Sequence, residues 1–155
     1  MTPDSSAPFR VFLAEDNPAD VFLVREALRE HGLTCELHVA DNGEEAIRYV
    51  RRIGNAPDSP APDLALVDLN LPRVDRGDIL REFHDNPACR GIPLIVLSSS
   101  DAELDLRSAG QLIEASLYFR KPAELDAFLE LGAKVKQILE NGRTRGASRV
   151  PRERD

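Results

Sequence analysis

Phe9 to Asp20 reads FRVFLAEDNPAD: an apolar run, an acidic turn, and the start of an amphipathic stretch. Phe9 to Ala14 is short, apolar and bounded by turn residues, which reads as a strand. In the turn, Asn17 offers a side-chain oxygen suited to a helix N-cap. Pro18 suits the first helical position, since its φ is fixed and the N–H it lacks would go unpaired there anyway. Val21, Val24 and Leu28 then mark one helical face, and His31-Gly32 ends it. The unit is strand, acidic turn, helix.

The same unit recurs along the chain. Cys35 to Ala40 is a second strand, and Asn42-Gly43 opens a helix with Ala46, Ile47 and Val50 inward, running to about Ile53. The Pro-rich loop GNAPDSPAP, Gly54 to Pro62, is longer than most helix-to-strand connections. Leu64 to Asp68 and Ile92 to Leu97 are nearly all apolar, as expected for parallel strands covered on both faces. Ile79, Leu80 and Phe83 mark a helix between them. Ser100-Asp101-Ala102-Glu103 has capping-box spacing for a fourth helix. Leu117 to Phe119 is a short fifth strand, followed by Lys121-Pro122 and a last helix from about Ala123 to Glu140. Five strands alternating with five helices predict an α/β, doubly wound parallel sheet, because parallel strands need crossover connections and these are right-handed. Ligands in such sheets bind outside the carboxyl ends of the strands, where the strand order changes direction.

Composition narrows the function. With 155 residues, 42% hydrophobic and 30% charged, the chain fits one globular domain. We expect that domain at residues 9–140, with flexible termini at 1–8 and 141–155. The net charge is −7, and Asn141 to Asp155 holds five Arg against Glu153 and Asp155, so the body is near −10. A body of that sign repels phosphate backbones, which disfavours nucleic acid as a partner. No run approaches the roughly 18 apolar residues of a membrane span, and MTPDSSAPFR has no basic, apolar leader pattern. The expected setting is the cytoplasm, with Cys35 and Cys89 as reduced thiols.

The expected strand ends carry the polar residues. Glu15 and Asp16 follow strand one, Asp68 ends strand three, Ser98 follows strand four and Lys121 follows strand five. Neighbouring carboxylates repel by roughly 1 kcal/mol per pair in water and about 4 at an effective dielectric near 20, so counter-charge is required. Lys121 supplies one unit. A divalent cation supplies the rest, and a site with few carboxylates and room for water suits Mg²⁺ better than Ca²⁺. Taken singly, each group has a plainer reading: helix-dipole complement for the acids, a strand-end hydroxyl, a surface Lys-Pro turn. Their convergence on one edge favours a site.

These residues resemble the receiver domains of two-component response regulators. The matching pieces are FLAEDNPAD, LALVDLNLPRVD, IPLIVLSSS and YFRKP, in order and at the right spacing from Phe9 to about Glu140. The resemblance implies a flavodoxin-like receiver fold with Asp68 as phosphoacceptor. It makes Glu15 and Asp16 metal-binding acids and Asn70 the donor of a backbone carbonyl to Mg²⁺. It casts Lys121 as the phosphoryl contact, Ser98 as the switch hydroxyl and Tyr118 as the switch aromatic, and places a cis peptide before Pro122. EDNPAD, the Pro-rich insertion and LNLPRVD further resemble the single-domain regulators paired with bacterial phytochromes. That implies a light-regulated sensor histidine kinase as phosphodonor and a homodimer through helix 4, strand 5 and helix 5. In the last helix, Leu125, Phe128 and Leu129 are expected in the core. Leu131, Val135 and Ile138 form either a second apolar seam or part of one broad buried stripe. Two residues depart from the family pattern: Arg76 stands where Gly usually follows the acid matching Asp75, and Ser98 replaces the commoner Thr.

Such a protein catalyses only its own phosphoryl transfer and hydrolysis. An aspartate-nucleophile phosphatase would need an acid where Asn70 stands, and an amide cannot protonate a leaving group. EDNPAD lacks the glycines of a dinucleotide turn, and His31, His38 and His84 show no metal-ligand spacing. The remaining alternative is a receiver-like interaction module that works without phosphorylation.

Overall fold

The computed structural model describes residues 7–75, 77–98 and 117–149. Its strands are β1 (Phe9–Ala14), β2 (Cys35–Ala40), β3 (Leu64–Asp68), β4 (Leu94–Ser98) and β5 (Leu117–Arg120). Between them lie α1 (Pro18–Glu30), α2 (Gly43–Arg52), α3 (Asp78–Asp85) and a 3-10 turn at Pro87–Cys89, and the C-terminal helix spans Leu125–Arg149. The expected fourth helix and its capping box at Ser100 to Glu103 lie outside the described residues, as does Arg76.

All pairings are parallel, in the order β2-β1-β3-β4-β5. The chain runs outward from β1 to the β2 edge, then back across to β3, so the change of direction lies between β1 and β3. A ligand site in a doubly wound sheet sits at such a point. Strand periodicity divides the core in two. Leu64 and Leu66 of β3 and Ile95 and Leu97 of β4 face α1 and the C-terminal helix, while Ala65, Val67 and Val96 face α2 and α3. Continuing the alternation turns Asp68 toward the α1 side.

The local signals explain most boundaries. Asn17 caps α1 by accepting a hydrogen bond from the Ala19 N–H at 2.9 Å, with Pro18 in the first turn. Asn42 caps α2 through the Glu45 N–H at 2.9 Å. Strand β4 begins at Leu94 and not at the expected Ile92, because Pro93 has no N–H to give to the ladder. Its carbonyl still accepts from the Ala65 N–H at 3.0 Å.

The C-terminal helix differs most from expectation. It starts at Leu125, where the Glu124 carbonyl takes the Phe128 N–H at 3.0 Å, and continues to Arg149, past the expected end at Glu140. Phe128, Leu131, Val135 and Leu139 are buried in the α1-side core, whereas Leu125 is 55% exposed. Leu131 and Val135 therefore belong to the monomer's buried stripe and not to a separate seam, and Leu125 lies outside the core. Steps of three and four from Phe128 to Leu139 make one stripe along the helix axis, and Leu125, the first residue of the helix, lies at its exposed end. Cys35 and Cys89 form no disulfide among the described residues, and burial pushes the Cys89 thiol up to about 11. Among the described residues, no helix is long and apolar enough to cross a membrane.

Candidate functional site

Glu15 follows the last residue of β1, Asp68 is the last residue of β3, and the two strands are neighbours at the change of direction. Glu15 and Asp68 are among the few buried polar side chains, at 1% and 4% exposure. Asp16 is exposed beside them. One carboxylate oxygen from each of Glu15, Asp16 and Asp68 lies within 4.8 Å of the other two. Three anionic oxygens converging this closely fit a hard divalent cation, which prefers oxygen ligands.

Lys121 reaches this cluster from beyond β5. Its backbone N–H donates to the Ser98 carbonyl at 2.7 Å, which fixes the chain where it leaves the sheet. From there the side chain crosses the ends of β4 and β3. Nζ donates to Asp68 Oδ2 at 2.7 Å, to Glu15 Oε1 at 2.6 Å and to Asp20 Oδ2 at 2.8 Å. Asp68 Oδ1 accepts the Asn70 N–H at 2.7 Å, so both oxygens of Asp68 are held. The expected cis peptide before Pro122 is absent: the bond is trans. This is the isomer favoured by about 0.5–1 kcal/mol at X–Pro bonds.

The electrostatics follow from burial and crowding. Burial raises the Glu15 carboxyl from 4.5 to about 8; the adjacent Asp68 carboxyl adds to the rise, and Lys121 pulls the other way. Burial works against the Lys121 charge, but hydrogen bonds to Asp20, Asp68 and Glu15 outweigh it and raise its pKa. Three carboxyl groups hold one ammonium and Asp16 adds a fourth acid beside them, which leaves the cluster anionic and suited to a cation.

The sequence of the chain matches the response regulator receiver domain over residues 11–131. The chain belongs to that family. Its relatives include Response regulator Rcp1 of Synechocystis, 34% identical over 81% of this chain and 84% of that protein. Among solved structures, the receiver is similar to the phosphorylated cyanobacterial phytochrome response regulator RcpA. The TM-score is 0.73 at 34% identity, covering 86% of this chain and 94% of that one. It is also similar to the Mn²⁺-bound form of Rcp1, with a TM-score of 0.70 at 32% identity over 83% of this chain and 92% of that one.

The receiver thus brings together Glu15, Asp16, Asp68 and Lys121, with Asn70 exposed directly after the Asp68 turn. Ser98 is buried at the end of β4, at 1% exposure. Tyr118 is half-buried on β5 against the α2-side core. One residue at the site was not foreseen. Asp20 had only the look of a first-turn helix acid; its position one turn into α1, facing the end of β1, was the signal available.

Proposed function

We propose that this receiver accepts a phosphoryl group on Asp68 from a sensor histidine kinase of the phytochrome type and thereby changes a protein-binding surface, working in the cytoplasm. The observation that carries the reading is the Lys121 ammonium held on Asp68 and Glu15, which converge with Asp16. Similarity to phytochrome response regulators supports the choice of kinase.

In this reading an Asp68 oxygen attacks phosphorus. The bond from phosphorus to the donor's imidazole nitrogen breaks, and the imidazole leaves with the electron pair. Glu15, Asp16, Asp68 and the Asn70 backbone carbonyl would hold Mg²⁺, which when bound offsets negative charge on the carboxylates and the phosphoryl oxygens. Lys121 exchanges one carboxylate contact for a phosphoryl oxygen. Ser98 donates its hydroxyl to another, and Tyr118 moves into the space this vacates. The acyl phosphate adds roughly −1.5 to −2 of charge at the sheet edge, enough to bias a bistable surface. A homodimer forms through β5 and the C-terminal helix, the expected fourth helix of that face lying outside the described residues; Ile138, half-buried at the edge of the core stripe, lies on the C-terminal helix.

The test is intact mass after incubation with a small acyl phosphate, with and without Mg²⁺. One Mg²⁺-dependent phosphoryl adduct is expected on the parent and none on Asp68→Asn. No adduct with either the small donor or a phytochrome-type kinase would favour a phosphorylation-independent binding module instead.

A further inference from the structure

Lys121 has three N–H donors, and all three are engaged. Two go to Glu15 and Asp68, whose oxygens belong to the group converging within 4.8 Å. The third goes to Asp20 Oδ2 at 2.8 Å, and Asp20 is not a member of that group. The three partners therefore separate once a divalent cation occupies the cluster. Glu15 and Asp68 must then share their lone pairs with a second positive charge, which repels the ammonium. Asp20, a 21% exposed side chain on the first turn of α1, keeps its charge for Lys121 alone.

We infer that Asp20 is a positioning residue: it anchors the Lys121 ammonium at the sheet edge while the other two carboxylates serve the metal and the phosphoryl group. The inference rests on the phosphoacceptor reading of Asp68. A lysine side chain has four rotatable bonds, and ordering it costs entropy that a lasting charge-assisted hydrogen bond offsets. Without Asp20, the ammonium is left with partners that the metal also claims. It then has no contact holding it within reach of the incoming phosphoryl oxygens. Asp20 sits in the first turn of α1, where any acid complements the helix dipole. That plainer role affects helix stability and leaves the maximal rate of a folded protein alone.

The experiment measures the rate of Asp68 phosphorylation by a small acyl phosphate as a function of donor concentration, at saturating Mg²⁺, for the parent, Asp20→Ala, Asp20→Asn and Asp20→Glu. Thermal unfolding confirms which variants are folded, and the near-isosteric Asn variant stands in if Ala does not fold. Loss of one charge-assisted hydrogen bond predicts a fall of about ten- to a hundredfold in the maximal rate. The donor concentration at half-maximal rate should hardly change, and Asp20→Glu should recover part of the loss. In a Lys121→Ala background, Asp20→Ala should cost nothing further, because the residue it positions is gone. A maximal rate within about twofold of the parent, or an equal loss on top of Lys121→Ala, overturns the inference while Asp68 remains the acceptor. A parent that takes no phosphoryl group overturns both.

Discussion

Glu15 is the most constrained side chain of the site, a carboxyl at 1% exposure whose pKa burial raises to about 8. Folded protein holds a proton there that unfolded protein releases near 4.5, so stability is greatest below that value. In metal-free buffer, the unfolding free energy should fall as pH rises from about 4.5 to about 8, as urea titrations across that window would show. Glu15→Gln keeps the shape and cannot ionise as pH rises past about 8. It should stabilise the metal-free protein by an amount on the order of 1 kcal/mol and weaken Mg²⁺ binding at least about tenfold. Calorimetric titration reads the second effect, and an unchanged affinity would remove Glu15 from the metal site. The meeting of Glu15, Asp16, Asp68 and Lys121 was legible in the sequence because each stands at or just past a strand end, and strand ends share an edge. Asp20 was not, since only the distance from α1 to Lys121 separates an anchoring acid from an ordinary first-turn acid.

At the scale of elements, α1 and the C-terminal helix depend on a close approach. A Cβ placed on Gly132 would lie 2.1 Å from the Ala27 carbonyl oxygen and 2.4 Å from His31 Nδ1. His31 is itself tied to the Ala27 carbonyl at 3.0 Å, so neither neighbour is free to retreat. Gly132→Ala should therefore push the helices apart despite the better helix propensity of alanine, lowering stability by about 1–3 kcal/mol in urea unfolding. Stability equal to or above the parent's would show that the contact can relax. The same packing decides between the second seam and the single broad stripe that the sequence left open. Leu131 and Val135 are fully covered by α1 and the sheet, a fact of the fold that helical periodicity alone does not contain.

For the whole molecule, the anionic cluster couples cation binding to folding. Because the converging carboxylates exist only in the folded state, Mg²⁺ at a hundred times its dissociation constant should add about 2.7 kcal/mol of stability. Thermal unfolding with and without Mg²⁺ checks this, and Asp68→Asn should reduce the increment. Self-association is tested by Ile138→Glu: a dimeric parent should shift toward monomer by light scattering at least about tenfold in dissociation constant. Unchanged mass in the variant would place the interface elsewhere.

The sequence by itself determined the α/β class, the five strands and the acidic edge, because these follow from local periodicity, caps and the alternation of apolar runs. FLAEDNPAD already contained the strand end, the N-cap and the paired acids within one stretch. Only the tertiary structure decided the strand order, the trans peptide before Pro122, the burial of Leu131 and Val135, and the three partners of Lys121. Those depend on residues as much as 106 positions apart meeting at one sheet edge. Where a long, flexible ammonium settles among several carboxylates is a matter of distance and burial in three dimensions, not of spacing along the chain.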